Sequence, residues 1–218
     1  MASQDTVREL VEPEIQALGG LLHTGMSTAL EQAEKVLGHL DHSKFPHLRP
    51  IHARAEFREQ LDASQLPNGW LVTGNPRAMG QTGLVHESSG IRMRFLKERR
   101  RNYPGGVPVA GSTRARRDYW QSEPLFDLPT KGPAPAGSQE VQLLLLWDYT
   151  NAAVRDEFTL RVVHTLAPGD YGLAVPVDLV FEVLPGGGFT THLKFTGDPQ
   201  DEDLFHVDID EQSNRLDG

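Results

Sequence analysis

One apolar stripe runs through the first forty residues and limits the fold more than any other feature of the chain. Its members recur in steps of four, four and three residues: Val7, Val11, Ile15, Leu18, Leu22, Met26, Ala29, Ala33, Leu37 and Leu40. Such steps place all of them on one face of an α-helix. Gly19 and Gly20 interrupt the stripe, so one continuous helix and two helices bent at this pair are both open. We expect the stripe to pack on the chain's own core, with a homodimer through this helix as the alternative.

The spacing of apolar residues changes further along the chain, from the period of a helix to that of a strand. A shorter helix is predicted over residues 51–61, with Pro50 in its first turn. From Trp70 onward the apolar period is two, which predicts strands at 91–97 and 158–166. The nearly continuous apolar run 141–149 predicts a central strand covered on both faces, and 179–184 with 189–195 predict a hairpin around Pro185–Gly188.

These elements indicate an α+β fold, in which N-terminal amphipathic helices precede an antiparallel β-sheet or sandwich. The antiparallel prediction depends on connections that are too short for helical crossovers. Residues 102–139 are rich in Arg, Pro and Gly and are expected to form a long irregular loop. We therefore divide the chain into a helical segment (1–66), a β-domain (67–210) and an acidic tail (211–218).

Charge is distributed very unevenly. The chain carries a net charge of −9, yet residues 92–117 hold nine basic side chains and one acid, Glu98, a net charge of +8. Arginine outnumbers lysine 16 to 5, and its planar fork suits phosphates and carboxylates. The predicted partner-binding residues are Arg92, Arg94, Arg99, Arg100, Arg101, Tyr103, Arg114, Arg116, Arg117, Tyr119 and Trp120.

The expected partner is an acidic protein surface or nucleic acid. Tyrosine and tryptophan beside the arginines favour nucleic acid, since bases stack on such rings. An overall pI near 5.4 argues against it, because an acidic protein repels the phosphate backbone unless its basic face is isolated. The acidic residues of 198–218 suggest a further hypothesis, an arm that competes with the partner for the basic segment.

Evidence for catalysis is weaker. His39, His42, His47 and His52 cluster near Asp41 and could hold a divalent metal, but their spacing matches no ordered metal signature. His206, Asp208 and Asp210 could share one face of a strand and form a second candidate metal face. Gly74–Thr82 lacks the lysine of a phosphate-binding loop and is read as a turn between strands. With no cysteine, disulfides and thiolate chemistry are excluded.

We therefore expect a non-catalytic binding protein with a regulatory or assembly role that needs no cofactor. The alternative is a metal-dependent hydrolase that uses the histidine cluster. No secretion signal or apolar run of membrane-spanning length is recognised, so the expected location is a bacterial-type cytoplasm with no membrane contact.

Overall fold

The fold is α+β, with helices at the N-terminus and one large sheet after them. The structure is a computed structural model that describes residues 5–121, 140–150 and 157–192. Its elements are α1 (Asp5–Leu37), α2 (Leu48–Ala63), β1 (Trp70–Thr73), β2 (Gly83–His86), β3 (Arg92–Lys97), α3 (Arg114–Trp120), β4 (Gln142–Tyr149), β5 (Phe158–Thr165), β6 (Val177–Val183) and β7 (Phe189–His192).

The apolar stripe is the buried face of α1. From Val11 to Ala33 its members are at most 1% exposed and pack on α2 and one face of the sheet. A homodimer through this helix would therefore have to use another of its faces. The helix is continuous, and its glycines allow a close approach of chain segments: a Cβ on Gly19 would lie 2.5 Å from the carbonyl oxygen of Gly187 in the β6–β7 turn.

Helix α2 lies against α1 and the sheet through one apolar edge. Ala53, Phe57 and Leu61 are buried, and the Phe57 ring lies 4.3 Å from that of Phe95 on β3. Pro50 stands in its first turn, as the sequence predicts. Since Phe57 is a large side chain at the helix–sheet boundary, this contact fixes α2 against β3.

The sheet has seven strands in the order β1-β2-β3-β4-β5-β6-β7 and is open rather than a closed barrel. Every neighbouring pair is antiparallel except β3 and β4, which run parallel with Met93 opposite Leu143. The all-antiparallel prediction is therefore wrong at this pair. The physical reason is the length of chain between Lys97 and Gln142, which is sufficient for a crossover. The predicted β6–β7 hairpin is confirmed.

The described part of this crossover covers the face of the sheet opposite α1. Residues 114–120 are helical, so the predicted irregular loop 102–139 is wrong there, and 122–139 lie outside the described residues. Trp120 is fully buried and joins Val107 and Ala110 over Leu144 and Leu146 of β4. Both faces of β4 are consequently covered, as its continuous apolar sequence predicts.

The division into three segments stays a prediction, and the acidic tail lies outside the described residues. Among the described helices, none combines the length and the apolar content that crossing a bilayer requires.

Candidate functional site

A cleft of about 630 Å³ lies where the α1–α2 connection meets the end of β3. Its lining comprises His42, Pro46, His47, Pro50, Lys97, Glu98, Arg99, Arg100, Arg101, Asn102, Asp148 and Tyr149. Two features that are far apart in sequence, the histidine cluster and the arginine triplet, therefore line the same cleft. We call it the basic cleft.

A buried carboxylate anchors the arginine side of the basic cleft. The Glu98 side chain is fully buried, and its two oxygens each lie 2.6 Å from a guanidinium Nε, one of Arg100 and one of Arg161. Arg161 also donates to the carbonyl oxygen of Gly105. The hydrogen bond to Glu98 raises the pKa of Arg100 above its ordinary value. Arg100 is thus held in place within the chain, and the turn that follows Glu98 is tied to β5, although one carboxylate does not cancel the charge of two guanidinium groups.

Lys97 is also engaged within the chain. Its ammonium pairs with the Asp148 carboxylate and lies 5.1 Å from the Trp147 ring centroid and 5.7 Å from that of Tyr149. These contacts hold the charge of Lys97 against β4 rather than extending it to solvent. Tyr149 lines the basic cleft and was not among the predicted residues.

Arg99 and Arg101 supply the outward-facing positive charge of the basic cleft. Both side chains are exposed, and no ion pair is recorded for either within residues 5–121, 140–150 and 157–192. An exposed guanidinium in a concave site can bind a carboxylate or phosphate in two-pronged fashion. These two residues are therefore the part of the predicted set best placed to meet an anion from outside.

The other predicted arginines do not line the basic cleft. Arg92 pairs with Glu140 at 2.8 Å, and Arg114 lies 3.7 Å from Asp118. Arg94 and Arg116 place their guanidinium carbons 5.8 and 5.9 Å from the Trp120 ring centroid. Arg117 is exposed on α3. The single patch expected from sequence is thus two groups, one at the end of β3 and one around α3.

The predicted rings are not presented for stacking. Tyr103 is 6% exposed and meets Tyr171 edge-on, and Trp120 is fully buried with its indole Nε1 donating to the Pro108 carbonyl oxygen. Tyr119 is half-buried, and its single hydroxyl proton is shared between the carbonyl oxygens of Arg92 and Leu143, which lie 3.2 and 3.1 Å away. Burial raises the pKa of Tyr119 above its ordinary range. These rings bind the crossover to the sheet.

The four clustered histidines do not assemble as metal ligands. His42 and His47 line the basic cleft, His39 is exposed, and the His52 Nε2 lies 3.9 Å from Glu56 one turn along α2. Within the described ranges no three His, Asp or Glu side chains come together in a way that could hold a metal ion. The second candidate metal face, at His206, Asp208 and Asp210, lies outside the described residues.

A buried histidine that sequence analysis passed over links α1 to the β2–β3 turn. The His86 Nδ1 lies 2.6 Å from the Ser89 hydroxyl, and its Nε2 lies 3.4 Å from the Glu14 carboxylate and 3.2 Å from the Asn68 carbonyl oxygen. A Cβ on Gly69 would contact the ring at 2.5 Å. His86 is therefore held on all sides and ties the turn to the helix layer.

Comparison with known proteins identifies no relative. No family model matches the chain, and neither a curated protein nor a solved structure is similar to it.

Proposed function

We propose that this chain is a non-catalytic, cytoplasmic binding protein that engages an acidic segment of a partner protein in its basic cleft, in a regulatory or assembly role. The observation that carries the proposal is the position of Arg99 and Arg101, exposed on the wall of a cleft of about 630 Å³. That volume lies within the roughly 300–1,000 Å³ typical of ligand sites.

The internal ion pairs support binding rather than weakening it. Because Glu98 holds Arg100 and Asp148 holds Lys97, the backbone between them is fixed before a partner arrives. A preorganised site loses less conformational entropy on binding than a mobile one. Arg99 and Arg101 then extend from a rigid wall. Within the described ranges no ion pair engages their guanidinium groups, so both can bind a partner's carboxylates.

An acidic protein partner is favoured over nucleic acid because of the rings. Single-stranded nucleic acid binds through exposed aromatic faces as well as positive charge. Tyr103 and Trp120, which the sequence suggested for that role, are buried. Tyr149, the ring that lines the basic cleft, is half-buried, with the Lys97 ammonium 5.7 Å from its centroid. The carboxylates of an acidic protein segment can bind the guanidinium groups without any aromatic ring. Pro46 and Pro50 also line the cleft, and their apolar rings can contact the partner's side chains that lie between its carboxylates.

Fluorescence anisotropy with a labelled glutamate-rich peptide tests this proposal. The unmodified chain is expected to bind the peptide at low salt, and a labelled oligothymidylate of equal length is expected to bind more weakly. The double variant Arg99→Glu/Arg101→Glu should lose about tenfold or more in peptide affinity, since it replaces two attractive contacts by repulsive ones.

Arg77→Glu/Arg114→Glu is the matched control, since it makes the same charge change at two exposed arginines that do not line the basic cleft. The control should retain most of the affinity. Equal losses in the two double variants would show that only net charge matters, and this result would contradict the proposal. Tighter binding of oligothymidylate than of peptide would favour nucleic acid instead.

A further inference from the structure

Two arginines that do not line the basic cleft lie near the Trp120 ring. The guanidinium carbons of Arg94 and Arg116 lie 5.8 and 5.9 Å from the same ring. Burial, and then the like charges of Arg116 and Arg54, lower the pKa of Arg94 below its ordinary value. The chain thus brings three cations close enough to oppose one another.

The carboxylates near these arginines are used elsewhere. Glu140 pairs with Arg92 and Asp118 with Arg114, and no ion pair is recorded for Arg54, Arg94 or Arg116 within the described ranges. The buried Nε atoms of Arg54 and Arg94 lack a hydrogen-bond partner. A buried donor without a partner destabilises the fold, and more so when the group is charged. An external anion in contact with Arg94 would offset this concentration of positive charge.

A groove of about 200 Å³ gives an anion access to Arg94, while Arg54 and Arg116 stand outside its lining. Arg92 and Arg94 line it together with Tyr119, Gln81 and the exposed backbone of Gly74. This volume is below that of a typical drug-sized site, which limits the occupant to a small group. A phosphate fits the chemistry, because several guanidinium forks can share its oxygen atoms.

We propose that the groove between β2, β3 and α3 is a phosphate-binding site in which Arg94 contacts the ligand and Arg116 and Arg54 supply supporting positive charge. The site is separate from the basic cleft and does not depend on the function proposed for it. Its occupant is either free phosphate or the phosphate group of a larger ligand, since both present the same oxygen atoms.

Calorimetric titration of the full chain with inorganic phosphate, at constant ionic strength maintained with chloride, tests the site. Saturable one-to-one binding is expected. Arg94→Gln, at the residue that contacts the ligand, should weaken it about tenfold or more, as expected when a hydrogen bond to a charged group is lost. Arg116→Gln removes only supporting charge and should weaken it about three- to fivefold. Arg117→Gln is the matched control, because it removes the same charge from the next residue of α3 and should keep the affinity within about twofold.

Thermal unfolding in chloride alone is a second readout, and it distinguishes a binding role of Arg116 from a structural one. Relief of repulsion predicts that Arg116→Gln unfolds no earlier than the unmodified chain in the absence of phosphate, while losing the stabilisation that phosphate confers. O-phosphoserine distinguishes the two sources: tighter binding than inorganic phosphate indicates a phosphate ester, and equal or weaker binding indicates the free anion.

Two results would overturn the proposal: the absence of saturable phosphate binding to the unmodified chain, or equal weakening by Arg116→Gln and Arg117→Gln. Arg99→Glu/Arg101→Glu should leave phosphate affinity unchanged. Retained phosphate binding in that variant, together with lost peptide binding, would show that the two sites act separately.

Discussion

Adjacent glycines in α1 are predicted to respond to alanine substitution with opposite signs. Within a helix, alanine is favoured over glycine by about 1 kcal/mol. At Gly20 the added Cβ would lie no closer than 3.9 Å to the Gly186 carbonyl oxygen, an ordinary contact. Gly20→Ala should therefore stabilise the protein by up to about 1 kcal/mol.

At Gly19 the same methyl group would lie 2.5 Å from the Gly187 carbonyl oxygen and 3.3 Å from its Cα. These are backbone atoms, so relief requires α1 and the β6–β7 turn to move apart. Overpacking costs about 1–3 kcal/mol, and a backbone contact as short as this one belongs to the upper part of that range, about 2–3 kcal/mol. After the helical gain is deducted, Gly19→Ala should destabilise the protein by about 1–2 kcal/mol.

Urea unfolding of the two variants beside the unmodified chain measures the difference, which should be about 2–3 kcal/mol between them. In thermal unfolding the midpoints should separate by several degrees, because a chain of this length shifts about 2–4 °C per kcal/mol. If both substitutions stabilised the protein equally, the contact between α1 and the β6–β7 turn would be wrong. Equal destabilisation would contradict the distinction between the two positions.

Two further predictions concern the described polar network. Glu98→Gln should destabilise the fold by about 3 kcal/mol in urea unfolding, the low end for a broken buried pair, because Arg100 keeps contact with water; a change below about 0.5 kcal/mol would contradict the anchoring role. Since the pKa of Tyr119 is raised in the folded state, its neutral hydroxyl favours folding until the unfolded chain begins to ionise near about pH 10, and this contribution falls as the pH rises further. Absorbance titration should show one late-ionising tyrosine that Tyr119→Phe removes, and an unchanged titration would refute the assignment.

The sequence predicts best those elements in which the spacing of apolar residues indicates which face is buried. The stripe of α1 and the alternation in β3 and β5 each place apolar side chains on one face, and these faces are buried. The fold class follows because helix-period residues precede strand-period residues along the chain. The two N-terminal helices and the β6–β7 hairpin follow from local patterns of this kind.

The parallel pairing of β3 with β4 has no local signature. The direction in which β4 pairs with β3 depends on which face of the sheet the long connection between them can cover. The crossover covers one face of the sheet through Trp120. The arginines that precede Trp120 in the sequence give no sign that this ring is fully buried. Arginine stems and guanidinium groups can themselves cover a ring, as Arg94 and Arg116 do.

The basic cleft could be predicted only in part. Arg99 and Arg101 were identified from charge density, but their meeting with His42 and His47 depends on how α2 packs on β3. The sequence does contain a signal for the buried carboxylate that holds the arginine side of the cleft: Glu98 is the single acid within the basic residues of 92–117. A lone carboxylate in that position is favoured where it neutralises neighbours, and Arg161 on β5 is a partner that sequence distance conceals.

Salt dependence of acidic-peptide affinity, measured for the unmodified chain and for Arg99→Glu/Arg101→Glu, tests the central claim most directly. Exposed guanidinium groups that contact the peptide predict an affinity that falls steeply as salt rises, and a much shallower dependence once both are reversed. The same steep dependence in both proteins would contradict the claim that the basic cleft is where the anionic partner binds.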